Sequence, residues 1–200
     1  MTHILHVTCS PRGSGSYSTA LSTAITERLG AAHLNATLNR RDLHAAPLAP
    51  LDAAFADDVV SRSPPNGRRS GALDGSAACI AELQAAEVVV IGTPMHNFTI
   101  PAALKLWIDL VVRAFHTFTP GPDGKAGLLI DRPVFVAVAS GGTFAGAGAN
   151  QPDFLTPYLT AALGCIGLHD LRFLLLQGTA RRSTDALSCA IQDMMGKVSV

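Results

Sequence analysis

Residues 87–93 read Glu-Val-Val-Val-Ile-Gly-Thr, an apolar run without polar residues at alternate positions. A strand with one wet face alternates; one that is β-branched and apolar throughout is covered on both faces. This stretch therefore demands a sheet sandwiched between two helical layers. Residues 133–139 (Pro-Val-Phe-Val-Ala-Val-Ala) and 171–177 (Leu-Arg-Phe-Leu-Leu-Leu-Gln) repeat the pattern, and 3–8 and 36–43 read as two further strands. Segments of helical period lie between them. Residues 18–29 place Leu21, Ile25 and Leu29 on one face, and 101–115 open on Pro101, a good residue for a first helical turn. Residues 154–164 and 184–195 are helical as well.

The order βαβαβαβαβ is that of an α/β protein with a doubly wound five-stranded parallel sheet and helices on both faces. Right-handed crossovers leave the flavodoxin-like order 2-1-3-4-5 as the natural topology. The 200 residues fit a single domain, 1–200. Residues 61–76, rich in Pro, Gly, Ser and Arg, break the pattern and read as an exposed, mobile loop. Hydrophobic residues make up 48% and charged residues 15% of the chain, which excludes a disordered chain and fits either an oligomer or an alanine-rich core. Zero formal net charge without a long basic run argues against nucleic acid or an anionic membrane as partner. Cys9, Cys79, Cys165 and Cys189 form no CxxC pair, and the 7 histidines show no metal-ligand spacing, so no metal is expected. There is no signal-peptide pattern, and no apolar run approaches the roughly 18 residues of a membrane span. The expected location is a reducing cytoplasm.

In an open parallel sheet, ligands bind beyond the carboxyl ends of the strands, where strand order reverses. Three chemically unusual segments fall there: "CSPRGSGSYS" (9–18), "PMHNF" (94–98) and "ASGGTF" (139–144). The first lacks lysine but can hold an anion through backbone N–H groups and the dipole at a helix N-terminus. Ser10, Ser16 and Ser18 add hydroxyls, and Arg12 lies in the same loop. Such a neutral cradle suits a terminal phosphate monoester better than a pyrophosphate with magnesium; alternatively it is a serine-rich turn with Ser18 as helix cap.

Sharper motifs fail. Gly124-Lys125 and Gly196-Lys197 are not followed by Ser or Thr, as a P-loop requires. Gly13 and Gly15 lack the third glycine of a dinucleotide fingerprint, because Ser18 stands there. Gly15 occupies the place where a cysteine phosphatase would need arginine, so Cys9 reads as a small strand-end residue. No GxSxG nucleophile elbow is present. In the second segment Met95 and Phe98 offer apolar contact to a flat ring, and the backbone around Asn97 can read polar ring edges; equally, this is a turn with both apolar residues in the core. Gly141 and Gly142 in the third let backbone approach a ligand, or simply form a turn.

Three longer stretches, "SPRGSGSYSTALS", "PMHNFTIPAALKLWIDLVVRAFHTF" and "FLTPYLTAALGCIGLHDLRFLLLQG", resemble the bacterial FMN-dependent NADH-azoreductases, which are also NAD(P)H:quinone oxidoreductases. The resemblance spans nearly the whole chain. It implies a flavodoxin-like fold and a homodimer with FMN at its interface. It also implies ping-pong two-electron transfer from NADH or NADPH to a small quinone or azo acceptor. By position, Ser10, Ser16, Tyr17 and Ser18 would bind the phosphate; Met95, His96, Asn97 and Phe98 would flank the isoalloxazine ring; Ala139, Ser140, Gly141 and Gly142 would lie near its polar edge. His96 stands where the family commonly has tyrosine, and Ala139–Gly142 where it commonly has Ser-Arg-Gly-Gly.

The chemistry then belongs to the flavin, with the protein supplying position and electrostatics. Protons come from water or from His96, the one candidate catalytic side chain, which is otherwise a ring-edge contact or plain surface residue. Phe98, Phe115 and Phe118 either wall the acceptor pocket or pack in the core. Three other functions share this fold: an FMN reductase that releases reduced flavin, an electron-transfer flavodoxin, and a flavin-free binding module. The zero net charge argues against the flavodoxin, which is usually acidic to meet its partners.

Overall fold

The computed structural model describes residues 1–60, 71–122 and 124–199. In chain order the elements are β1 (His3–Thr8), α1 (Tyr17–Ala32), β2 (Thr37–Asp42), α2 (Ala53–Val60), α3 (Gly71–Ala85), β3 (Val88–Pro94), α4 (Ala102–Val111), β4 (Phe118–Gly121), β5 (Gly124–Gly127), β6 (Val134–Ala139), α5 (Thr156–Gly164), β7 (Leu171–Leu176) and α6 (Thr184–Met195). Five strands form one sheet in the order β2-β1-β3-β6-β7. Every pairing in it is parallel. This is the expected 2-1-3-4-5 winding, with a small antiparallel hairpin, β4–β5, set between its third and fourth strands.

Period-two alternation on the strands divides the core in two. Leu5, Val7, Val89, Ile91, Val136 and Val138 pack under Leu83, Leu104, Trp107 and Leu159 of the α3, α4 and α5 layer. Ile4, Val90, Phe135 and Ala137 face Leu21 and Ile25 of α1 and Leu187 and Ile191 of α6. Each such side chain, removed from water, contributes about 1.5–3 kcal/mol. That is why the central strands read as continuous apolar runs. β2 is the wet edge, and its "TLNRRD" is exposed over the first four residues.

Three expectations need correction. The proposed loop at 61–76 ends too late. Residues 61–70 lie outside the described residues, but 71–76 form the first turns of α3, with Ala72, Leu73 and Ser76 buried. Gly71 reads as a breaker, yet it lets α3 lie close to the 48–49 segment, where a Cβ on it would meet Ala49 at 3.1 Å. The helix expected over 101–115 stops at Val111. There the Thr117 hydroxyl donates to the Val111 carbonyl (2.6 Å) and accepts the Arg113 amide (3.0 Å), closing the helix from outside it. Ser18 is not the helix cap, because α1 begins at Tyr17 behind Ser16. Among the described residues, no helix is long and apolar enough to cross a membrane, and no group of His, Cys, Asp and Glu is arranged to hold a metal ion.

Candidate active site

The chain leaves β1 for β2 on one side and returns across it to β3 on the other, so strand order reverses between β1 and β3. The three segments singled out above sit at the carboxyl ends of β1, β3 and β6, which are consecutive neighbours in the sheet.

The loop after β1 folds on its own carbonyls. Gly13 N–H donates to Ser10 C=O (3.1 Å) and Ser16 N–H to Gly13 C=O (3.2 Å), with Gly13 at φ +53°. Ser10, Ser16 and Ser18 are all buried, and the Ser16 and Ser18 hydroxyls lie 3.0 Å apart. Ser16 occupies the N-cap position of α1 but makes no side-chain cap bond, and the first turn carries no acidic residue. Among the described residues, no acceptor takes the N–H groups of Tyr17, Ser18 and Thr19, which are the orphan amides of a helix start. The buried Thr19 Oγ1 is also without a partner. A serine-rich turn made for capping would have satisfied these donors. The three amides are of the kind that bind a small anion.

Beneath the loop, α1 touches the sheet through polar groups. Ser22 Oγ donates to Thr19 C=O (3.1 Å), so it accepts from His6 Nε2–H (2.8 Å). Burial lowers the His6 pKa to about 4, which keeps the ring neutral. Gly92 of β3 makes the close approach possible: a Cβ there would lie 2.3 Å from Ser22 Oγ and 3.0 Å from Ser18 C=O. Cys9 donates its S–H toward Gly92 C=O (3.4 Å), and burial pushes its pKa up to about 12. It is no thiolate at neutral pH, as its reading as a small strand-end residue requires.

After β3, Met95 N–H completes the ladder to Ala139 C=O (2.8 Å). His96 and Thr99 then exchange both backbone bonds (2.9 and 3.0 Å), leaving a two-residue turn in which Asn97 (φ +47°) and Phe98 (φ +72°) are both left-handed. A two-residue turn with both central φ values positive favours Asn first and Gly second. Phenylalanine at the second place is held against its preference. Its carbonyl accepts Phe154 N–H (2.9 Å), which braces it. Phe98 is 43% exposed, so it is a surface ring rather than a core residue, while Met95 is half-buried against the core. His96 is exposed. Phe115 is 54% exposed, but Phe118 is only 8% exposed beneath the Lys125 ammonium, so of the three phenylalanines read as either pocket walls or core residues it alone belongs to the core.

After β6, Ala139 and Ser140 are buried while Gly141 is exposed. The loop after β7 clamps this segment from behind: Gly178, Thr179 and Ala180 N–H donate to the carbonyls of Gly142, Ser140 and Gly141. Gln151 reaches in from the front, its Nε2 2.9 Å from Ser140 Oγ and 3.3 Å from Met95 Sδ. No motif marks Gln151, Phe154 or the 178–180 backbone, because each contact joins segments distant in sequence.

The flavodoxin-like fold family matches residues 2–198 of this chain. The chain is 46% identical to FMN-dependent NADH:quinone oxidoreductase 4 of Pseudomonas fluorescens, over 89% of this chain and 85% of that one. It is 46% identical to the enzyme of the same name, number 5, of Burkholderia lata, over 90% and 87%. Among solved structures, the FMN-dependent NADH-azoreductase of Bacillus anthracis in complex with FMN superposes with a TM-score of 0.83 at 23% identity, covering 98% of this chain and 97% of that one. Over almost its whole length, the chain belongs to the flavodoxin-like family, among relatives named FMN-dependent NADH:quinone oxidoreductases.

Proposed function

We propose that this chain is an FMN-dependent NADH:quinone oxidoreductase that also reduces aromatic azo compounds by ping-pong two-electron transfer. The observation that carries the reading is the juxtaposition, at three neighbouring strand ends, of an uncapped hydroxyl-rich helix start and two loops that can cradle a flat ring. The names of the relatives support it. FMN, when bound, supplies the two-electron redox chemistry.

The amides of Tyr17, Ser18 and Thr19 and the hydroxyls of Ser10 and Ser16 hold the phosphate, the helix dipole replacing the absent lysine. The Met95–Phe98 turn supports the ring, and Ala139–Gly142 lets backbone approach its polar edge. His96 is exposed beside this turn, and protons reach the reacting molecules from water or from it. A donor and an acceptor that use one open shelf must do so in turn, which is the physical basis of ping-pong order. Phe98 and Phe154, at 43% and 59% exposure, leave apolar rings uncovered at this end of the molecule. A second copy of the chain would cover them and wall the acceptor site, so we read the active form as a homodimer of one-domain chains. Four free cysteines fit a reducing cytoplasm.

The test is to purify the chain with FMN, record its absorbance, add NADH without oxygen, and then add a quinone. The flavin band should bleach and recover. A protein that takes up no FMN, or holds FMN that NADH cannot bleach, refutes the proposal.

A further inference from the structure

The ledge that faces the ring depends on Gln151. Beyond the last ladder bond, Met95 N–H to Ala139 C=O, the backbone bond from Phe154 N–H to Phe98 C=O ties the turn after β3 to the far part of the segment after β6, and Gln151 ties the Met95 and Ser140 side chains together. Gln151 Nε2 donates to Ser140 Oγ (2.9 Å) and to Met95 Sδ (3.3 Å), and the Ser140 hydroxyl points to the same sulfur at 3.9 Å. A thioether sulfur accepts but never donates. The amide nitrogen must therefore face Met95, which fixes the orientation of the whole amide and turns Oε1 toward Gly142. A Cβ on Gly142 would stand 2.5 Å from Oε1 and 2.9 Å from Cδ of Gln151. Gly142 does not have a left-handed φ. Glycine is needed at 142 to leave room for the amide, not for its backbone freedom.

We infer that Gln151 is a positioning residue that locks the Met95–Phe98 turn to the Ser140–Gly142 edge in one geometry for the isoalloxazine ring. The inference rests on the reading of the site as an FMN site. Three variants break the clamp differently. Gln151→Ala removes it. Gln151→Glu keeps its size but loses the donor that Met95 requires, although the Ser140 hydroxyl can still donate to the carboxylate. Gly142→Ala leaves Gln151 in the chain but fills its seat, and the displaced atoms are the end of a flexible side chain, so the fold accommodates the change.

Two readouts are needed: the FMN dissociation constant by flavin fluorescence quenching, and the Met95 methyl signal of the flavin-free full-length chain in a carbon–proton NMR spectrum. Each variant should raise the dissociation constant about tenfold, the loss of one to two net hydrogen bonds, and should move the Met95 methyl signal without flavin present. The double variant Gln151→Ala/Gly142→Ala should be no worse than either single one. Wild-type FMN binding that the variants leave unchanged, an unmoved Met95 signal, or fully additive effects overturn the inference alone. Failure of the wild-type chain to bind FMN overturns the functional reading and this inference with it.

Discussion

Gly92→Ala tests the link between sheet packing and the phosphate cradle. The added Cβ would stand 2.3 Å from Ser22 Oγ, 2.9 Å from Ser22 Cβ and 3.0 Å from the Ser18 carbonyl. Ordinary contact is about 3.5 Å, so the first turns of α1 must lift from β3 by about 1 Å. Overpacking of this kind costs about 1–3 kcal/mol. The lift also strains the 2.8 Å bond between His6 and Ser22, and a buried donor left unsatisfied costs about 1–3 kcal/mol more. Together these predict a fall of about 1–2 M in the urea midpoint. The same lift displaces the Tyr17, Ser18 and Thr19 amides, so FMN affinity should fall in parallel. Ser22→Ala in the same chain removes the 2.3 Å contact but keeps the two involving Ser22 Cβ and Ser18 C=O, and should restore only part of the loss. A Gly92→Ala protein with wild-type midpoint and wild-type FMN affinity would refute the claim that this close approach seats the cradle.

Other outcomes follow from the same geometry. The buried His6 has a folded-state pKa of about 4 against 6.5 when unfolded. The unfolded chain therefore takes up the proton first, and stability present above pH 6.5 is lost as pH falls toward 4, by up to about 3 kcal/mol. His6→Gln, which keeps a donor for Ser22, should flatten a denaturation series across that window. Under native conditions a thiol reagent should label Cys189 promptly and spare Cys9 and Cys79, which are buried with raised pKa values; rapid labelling of all four would contradict the packing. Asn97→Ala should weaken FMN binding several-fold and cost about 1 kcal/mol of stability, because alanine tolerates φ +47° less well than asparagine. Unchanged affinity in that variant would remove the turn from the ring site.

The sheet was legible because burial on both faces writes itself into composition. "EVVVIGT" and "PVFVAVA" read as covered strands, and the observed bounds, Val88–Pro94 and Val134–Ala139, differ by one residue at both ends of the first and at the start of the second. α6 spans its expected 184–195, and the structure adds what fixes its start, a Ser183 cap whose hydroxyl accepts the Ala186 amide. The start of α3 was not legible, because Gly71 and Gly75 look like breakers until the segment that Gly71 accommodates is in view. The hairpin β4–β5 hid in a Pro- and Gly-rich stretch, where pairing between strands overrides local preference. In the site, Ser10, Ser16 and Ser18 could be read as an anion loop because their chemistry is local. Gln151 could not, since its partners Met95 and Ser140 are brought to it only by the sheet.

The central claim is that the amides and hydroxyls after β1 grip a phosphate monoester. Comparing FMN with riboflavin, which has the same ring and no phosphate, tests it most directly by fluorescence quenching of each. Three charge-assisted amide bonds are worth several kcal/mol, so FMN should bind at least about 100-fold more tightly than riboflavin. Equal affinity for the two, or binding of neither, would contradict the account.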